Sequence, residues 1–207
     1  MRKKKFNKKM NYLSNGRQYQ LIRTTILHKM LEKPIKSIAI VSPDELSGNS
    51  IVTMSLAKSF ANIGKRVLLV NTNTQSVKNS KNEERSELGI IDYLNEGMTE
   101  IRRIIFPSGY KNLDYIHYGI SEADAASLFS SSKMTELMAQ MNEQFDLVFF
   151  DTTPICVSPD SQVISALSDT TILNIRRGVS TKKGYRFSKK LLESIEADIL
   201  GITFIDF

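Results

Sequence analysis

Apolar positions along the chain gather into six short runs rich in β-branched and aromatic residues: "SIAIVS" (37–42), "RVLLVN" (66–71), "LDYIHY" (113–118), "LVFFD" (147–151), "TTILNI" (170–175) and "LGITFI" (200–205). Runs of this length and composition predict strands. Between them the apolar spacing changes to that of helices. A helix is expected over 50–63, closed by Gly64, and a shorter one in "GIIDYLNEG" ending near Gly97. Thr99 is placed to cap the turn "EIRRIIF", and amphipathic helices are expected over 132–144 and 182–196. Strand and helix in alternation mean a mainly parallel, doubly wound α/β sheet with helices on both faces. The almost continuous apolar character of 147–150 suits an inner strand.

One further helix, over 17–33 and stopped by Pro34, precedes the first strand and has no strand partner. It is expected either to pack on the domain or to contact another subunit. The division that follows is a disordered basic arm over 1–10, an N-terminal helical segment over 11–34, and a single α/β domain over 35–207. The least structured interior stretch is the polar segment 73–87, at the carboxyl end of the sheet. The chain shows no internal repeat.

Composition narrows the function classes. The 207 residues suit one domain, and 41% apolar with 24% charged content is that of a soluble globular protein. No apolar run approaches the roughly 18 residues of a membrane span, and no secretory leader is visible. The one cysteine, Cys156, excludes an internal disulfide framework and fits a cytoplasmic chain; lying in an apolar stretch, it is expected to be buried. The net charge of +6 is uneven. Eleven basic residues and one acid, Glu32, fall in 1–36, so the body is mildly acidic. "MRKKKFNKK" reads as a solvated basic arm or as one drawn to anionic lipid. Nucleic acid is a weaker expectation, since no base-reading module accompanies the arm.

Candidate chemistry centres on "PDELSGNS" (43–50), which leads from the first strand into a helix. In an open α/β sheet, ligands sit beyond the carboxyl ends of the strands, and such a loop offers backbone N–H groups to an anion. A working phosphate loop needs glycine for curvature, lysine for countercharge and a Ser/Thr hydroxyl for Mg²⁺. Gly48 and Ser50 fit, whereas Asn49 is neutral, Asp44 and Glu45 add negative charge, and Leu46 is large. The fourth strand ends in Asp151, followed by Pro154 in "DTTP", as expected of an acid that holds Mg²⁺ beside such a loop. The second strand ends in Asn71, which has no charge to accept a proton. His28 and His117 are isolated, no Cys/His spacing suits zinc, and Met134, Met138 and Met141 share one helical face expected in the core.

From about Arg17 to Ile205 the chain resembles the bacterial protein tyrosine kinases (BY-kinases) of capsule and exopolysaccharide synthesis, P-loop proteins related to division-site and chromosome-partition ATPases. The resemblance lies in "GKRVLLVNTNTQ", "NLDYIHYG", "KMTELMAQMNEQFDLVFFDTTP", "DSQVISALSD" and "ADILGI", in order and spacing. The family's first phosphate loop ends Gly-Lys-Ser/Thr; here Gly48, Asn49 and Ser50 stand there. Its second motif has two aspartates and an arginine, the first aspartate being base and Mg²⁺ ligand; here these are Asn71, Asn73 and Gln75. Its third motif, Asp-Thr-Pro-Pro, is Asp151, Thr152, Thr153 and Pro154. Ile205 stands where an asparagine reads adenine, and Arg17, Gln20 and Arg23 stand at the ring-assembly pattern of Glu, Arg, Arg. Members end in a tyrosine cluster, whereas the last tyrosine here is Tyr185.

With these substitutions, the resemblance implies a catalytically impaired or inactive regulatory and binding module of exopolysaccharide biosynthesis and export, with no catalytic residue. Gly48, Asn49, Ser50 and Arg176 would line a weak residual nucleotide pocket, Arg176 or its neighbour Arg177 being the replacement cation. Ser50 and Asp151 would take Mg²⁺ only with a nucleotide. No cofactor is expected, ATP and Mg²⁺ binding at most weakly. The implied partners are a membrane-embedded chain-length adaptor, an active kinase paralogue, and an anionic membrane surface through the arm. The implied location is cytoplasmic, peripheral at the inner face of the membrane. Two alternatives stay open: an active ATP-dependent tyrosine autokinase with an atypical loop, and a partition-type positioning ATPase.

Overall fold

The structure is a computed structural model that describes residues 16–75 and 87–206. The basic arm, the start of the leading segment and most of the polar stretch 73–87 lie outside the described residues. Seven strands form one sheet in the order β3-β4-β2-β5-β1-β6-β7. They are β1 (Ser37–Val41), β2 (Val67–Thr72), β3 (Phe106–Tyr110), β4 (Leu113–Ile116), β5 (Leu147–Thr152), β6 (Thr170–Arg176) and β7 (Ile199–Ile205). All pairings are parallel except β3 with β4. The helices are α1 (Arg17–Glu32), α2 (Asn49–Ala61), α3 (Ile90–Asn95), α4 (Ala125–Phe129), α5 (Ser132–Gln144), α6 (Asp160–Leu167) and α7 (Lys182–Ser194).

Four of the apolar runs, β1, β2, β5 and β6, are inner strands buried on both faces, because successive side chains enter opposite cores; β7 is a partly exposed edge. In β5, Leu147 and Phe149 join Ile38 and Ile40 of β1 on the face covered by α1 and α2. Val148 and Phe150 point the other way, into the cluster built with α3, α4 and α5. α7 closes a third cluster on that second side through Leu192, against Val41, Leu173 and Ile175. Met134, Met138 and Met141 are buried on the core face of α5, as their spacing predicts. That helix starts where the Ser131 hydroxyl accepts from the Met134 N–H, one of the otherwise unpaired donors of a first turn.

The leading helix packs on its own domain. Tyr19 and Ile26 of α1 are buried in the cluster that also holds Val52, Leu56 and Phe60 of α2. Arg23 Nη1 donates to Ser59 O at 2.7 Å and to Ser59 Oγ at 3.0 Å. Beyond the end of α1, Lys33 Nζ pairs with Asp198 at 2.6 Å, just before β7.

Three expectations are corrected. Cys156 is exposed, because it follows buried Ile155 into the turn after β5, and its Sγ lies 3.3 Å from Ser188 Oγ. Thr99 caps nothing: the 3-10 turn Ile101–Ile104 is flanked by Glu100 and has no side-chain cap. The last residues of that stretch run on into an unexpected strand, β3, where Pro107 and Gly109 are tolerated at the sheet edge beside a register shift. The helix α6 also forms, from a segment whose periodicity was too short to stand out.

Candidate functional site

The first strand rises to Val41, and its chain turns through a 3-10 segment, Glu45–Ser47, into α2. Gly48 makes this turn with φ 69° and ψ 31°, a left-handed conformation that suits glycine. Its carbonyl accepts the Ile51 and Val52 N–H groups, so α2 begins directly beneath the loop with its positive end facing the strand tips. Two polar side chains of β6, one buried and one partly exposed, pin the loop from below. Asn174 of β6, fully buried, donates through Nδ2 to Ser47 O at 3.0 Å, while its Oδ1 accepts from Thr203 of β7 at 3.1 Å. Arg176 Nη1 donates to Leu46 O at 2.7 Å, and the Ser47 and Ser180 hydroxyls lie 3.2 Å apart.

Asn49 is the centre of the site. Its side chain is 6% exposed and turns down between the ends of β1 and β5. Nδ2 lies 2.6 Å from Ile40 O, 3.2 Å from Thr152 O and 3.4 Å from Asp151 Oδ1. The Thr152 hydroxyl donates to the same Ile40 carbonyl at 2.8 Å, so β1, β5 and α2 meet on one small polar knot. Asn49 Oδ1 is buried within it with no hydrogen-bond partner.

The sequence-predicted pair Ser50 and Asp151 does come together. Asp151 is buried at the β5 tip, and burial pushes its carboxyl up to about 6, against hydrogen bonds from Ser50, Asn49 and Thr53 that favour the charged form. Asn71 is the register partner of Asp151 across β2 and β5. Its Oδ1 accepts the Asn73 N–H at 2.9 Å, and Asn73 Oδ1 accepts the Gln75 N–H at 3.0 Å, two successive side-chain turns where the strand ends. Thr153 steadies this segment by accepting the Thr74 N–H at 3.0 Å.

Other predicted residues fall further away. Arg177 is exposed and pairs with Asp206 at 3.4 Å. Ile205 is buried in the core beside α1 and α2. Asp44 turns toward the first turn of α7, where a Cβ on Gly184 would come 3.7 Å from its Oδ1. Leu46 is 70% exposed on the loop's outer rim. His117 is half-buried beyond β4, edge-on to Tyr115 and Phe106, with its Nε2 2.5 Å from Glu87 Oε2. Sequence reasoning missed Asn174 and Thr203, although an amide inside the apolar run "TTILNI" signals a buried polar group needing partners.

The residues present can hold a loop rigid and present a helix N-terminus beside a carboxyl group poised near neutral pH. Among the described residues, no group of three or more His, Cys, Asp or Glu is placed to bind a metal. A family model described as an AAA domain matches residues 35–198. The chain belongs to that family. Within this AAA-domain family its similarity runs to the tyrosine kinases, as the sequence resemblance implies. Tyrosine-protein kinase YwqD of Bacillus subtilis is 29% identical over 188 residues, covering 90% of this chain and 79% of YwqD. Tyrosine-protein kinase Etk of Escherichia coli is 26% identical, and the match spans only 25% of its length. The solved kinase domain of Etk superposes with a TM-score of 0.80 at 25% identity, covering 91% of this chain and 74% of that one. The MinD cell division protein of Aquifex aeolicus, solved with MinC, shares the fold with a TM-score of 0.64 at 18% identity, over 83% of this chain and 68% of that one.

Proposed function

We propose that the chain is a catalytically silent member of the tyrosine-kinase branch, acting as a regulatory and binding module of exopolysaccharide export at the inner face of the membrane. Its partners would be the cytoplasmic end of a membrane-embedded chain-length adaptor and an active kinase of the same branch. The observation that carries this reading is the direction of the Asn49 side chain. Where a phosphate loop sends a lysine toward the phosphates, Asn49 turns into the sheet and ties Ile40 O to Thr152 O.

The fit to Mg-ATP is correspondingly poor. The missing lysine removes a charge-assisted bond on the order of 1.5–3 kcal/mol. The guanidinium that could replace it, on Arg176, reaches Leu46 O on the loop. Asn71 offers no proton acceptor beside Asp151, and losing a general base costs about 10²–10⁴ in rate. Asp151 itself is buried and leans toward its neutral form near pH 6.

Calorimetric titration of Mg-ATP tests this, with the Asn49→Lys, Asn71→Asp double variant as comparator. The parent should release no heat at micromolar ligand, and the comparator should gain binding. Tight binding by the parent, with phosphotyrosine appearing on incubation, would overturn the reading. One observation favours the second reading, an active kinase with an unusual loop: the hydroxyl of Ser50 hydrogen-bonds the carboxyl of Asp151, the two groups that would hold Mg²⁺ in such a site. The same incubation separates the two.

A further inference from the structure

The outer face of α7 carries a dense run of positive charge. Lys182, Lys183, Arg186, Lys189 and Lys190 are all exposed within nine residues. Lys189 pairs with Glu193 at 3.4 Å. Among the described residues, no ion-pair partner faces Lys182, Lys183, Arg186 or Lys190. These four cations surround Phe187, which is 51% exposed, and together the five residues line one shallow depression. At 100° per residue they span an arc of about 140° on the helix. The opposite arc holds Ser188 and Leu192, which are buried, and Gly184, which packs on Pro43 beside Asp44.

Helix stability does not account for this pattern. Lys182 and Lys183 occupy the first turn, where the helix dipole favours acids and disfavours cations. Nor does core packing, since Tyr185, Leu191 and Leu192 already supply the buried face. An aromatic ring ringed by basic side chains has the chemistry of an interfacial helix. The ring enters the boundary between headgroups and acyl chains, while the alkyl stems of lysine and arginine reach back to the phosphates.

We propose that the outer face of α7 is a docking surface for an anionic phospholipid membrane. Single-stranded nucleic acid would need a series of aromatic platforms for successive bases, and this face has one. The surface is separate from the phosphate-like loop and from the arm over 1–10, and it stands whether or not the loop takes nucleotide.

The test is sedimentation of the full chain with vesicles of phosphatidylglycerol in phosphatidylcholine, against phosphatidylcholine alone. The wild type should partition onto the anionic vesicles and release as salt is raised. Each cation near the surface contributes about fivefold, so the Lys183→Glu, Arg186→Glu, Lys190→Glu variant should lose at least about two orders of magnitude. Phe187→Ser should lose about tenfold with its salt dependence unchanged. Deleting residues 1–10 should leave binding that the triple variant, made in that background, abolishes. All four substituted positions are exposed, and circular dichroism checks that each variant is folded; Lys183→Glu alone serves if the triple does not fold. Equal binding by wild type and triple variant, no preference for anionic vesicles, or retention on single-stranded DNA without vesicle binding would each overturn the proposal.

Discussion

Asn49 of α2 and Asp151 of β5 meet tip to tip, with Nδ2 3.4 Å from Oδ1, at the point where a helix start and two parallel strands converge. The contact sets the energetics of the site, because the amide is a neutral partner for a carboxyl group that burial has already pushed toward its protonated form.

Asp151 should make stability fall as pH rises. Its folded value, about 6, lies above the roughly 3.9 of an unfolded aspartate, so the folded chain holds a proton that the unfolded chain has released. Below about pH 4 both states are protonated and the site contributes nothing. Between about 4 and 6 stability drops, and above 6 the full penalty, on the order of 3 kcal/mol, persists. Asp151→Asn should therefore raise the urea midpoint at pH 7.5 and lose that advantage by pH 4. Paired urea titrations at the two pH values read this directly.

Asn174→Leu should destabilise by about 1–3 kcal/mol, since it leaves Ser47 O and the Thr203 hydroxyl without their buried partner. Thr203→Val in the same background should cost less than it does alone. A double-mutant cycle from denaturation should give a coupling of about 1 kcal/mol, and additive effects would show that the two side chains act separately.

Gly89→Ala should abolish or severely weaken folding. A Cβ there would lie 2.3 Å from Gly119 N and from His117 O, and both are backbone atoms that cannot swing aside. The two segments are tied together by the Ile90 N–H, which donates to His117 O at 2.9 Å, and by fully buried Asp92, which accepts from the N–H groups of Gly89, Ile120 and Ser121. Gly64→Ala, at φ +88° in open space, should cost only about 1–2 kcal/mol. Thermal melts of the two variants side by side distinguish a clash of backbones from simple conformational strain.

Arg176→Ala should loosen the loop without unfolding the domain. The guanidinium bond to Leu46 O is lost, while the Asn174 bond to Ser47 O remains. Faster amide exchange confined to residues 43–50, with the global melting temperature nearly unchanged, is the expected signature.

The runs that form β1, β2, β5 and β6 were legible because each buries two faces, so nearly every residue is apolar, as in Ile38 through Val41, while those of β4 and β7 kept enough apolar residues to be read although they are only partly buried. The antiparallel edge β3 was not, since an edge strand tolerates Pro107 and Gly109 and loses the pattern that marks its neighbours. Gly48, Ser50 and Asp151 were legible as a constellation, because loop, helix start and strand tip have fixed positions in such a sheet. The inward turn of Asn49 was not: a neutral amide in place of lysine says what is missing, and only coordinates say which carbonyls it takes instead. Cys156 misled because its neighbours are apolar while its own position lies in an exposed turn.

The centre of the sheet also constrains how this chain is born. β1 pairs through Ser37 with Val148 and through Ile38 with Thr170, residues that leave the ribosome long after it. Such distant pairing is the slow part of folding, because loop closure precedes any reward. The largely apolar first strand thus lacks its partners until β5 and β6 have been made, and early shelter has to come from local contacts between α1 and α2 or from a chaperone.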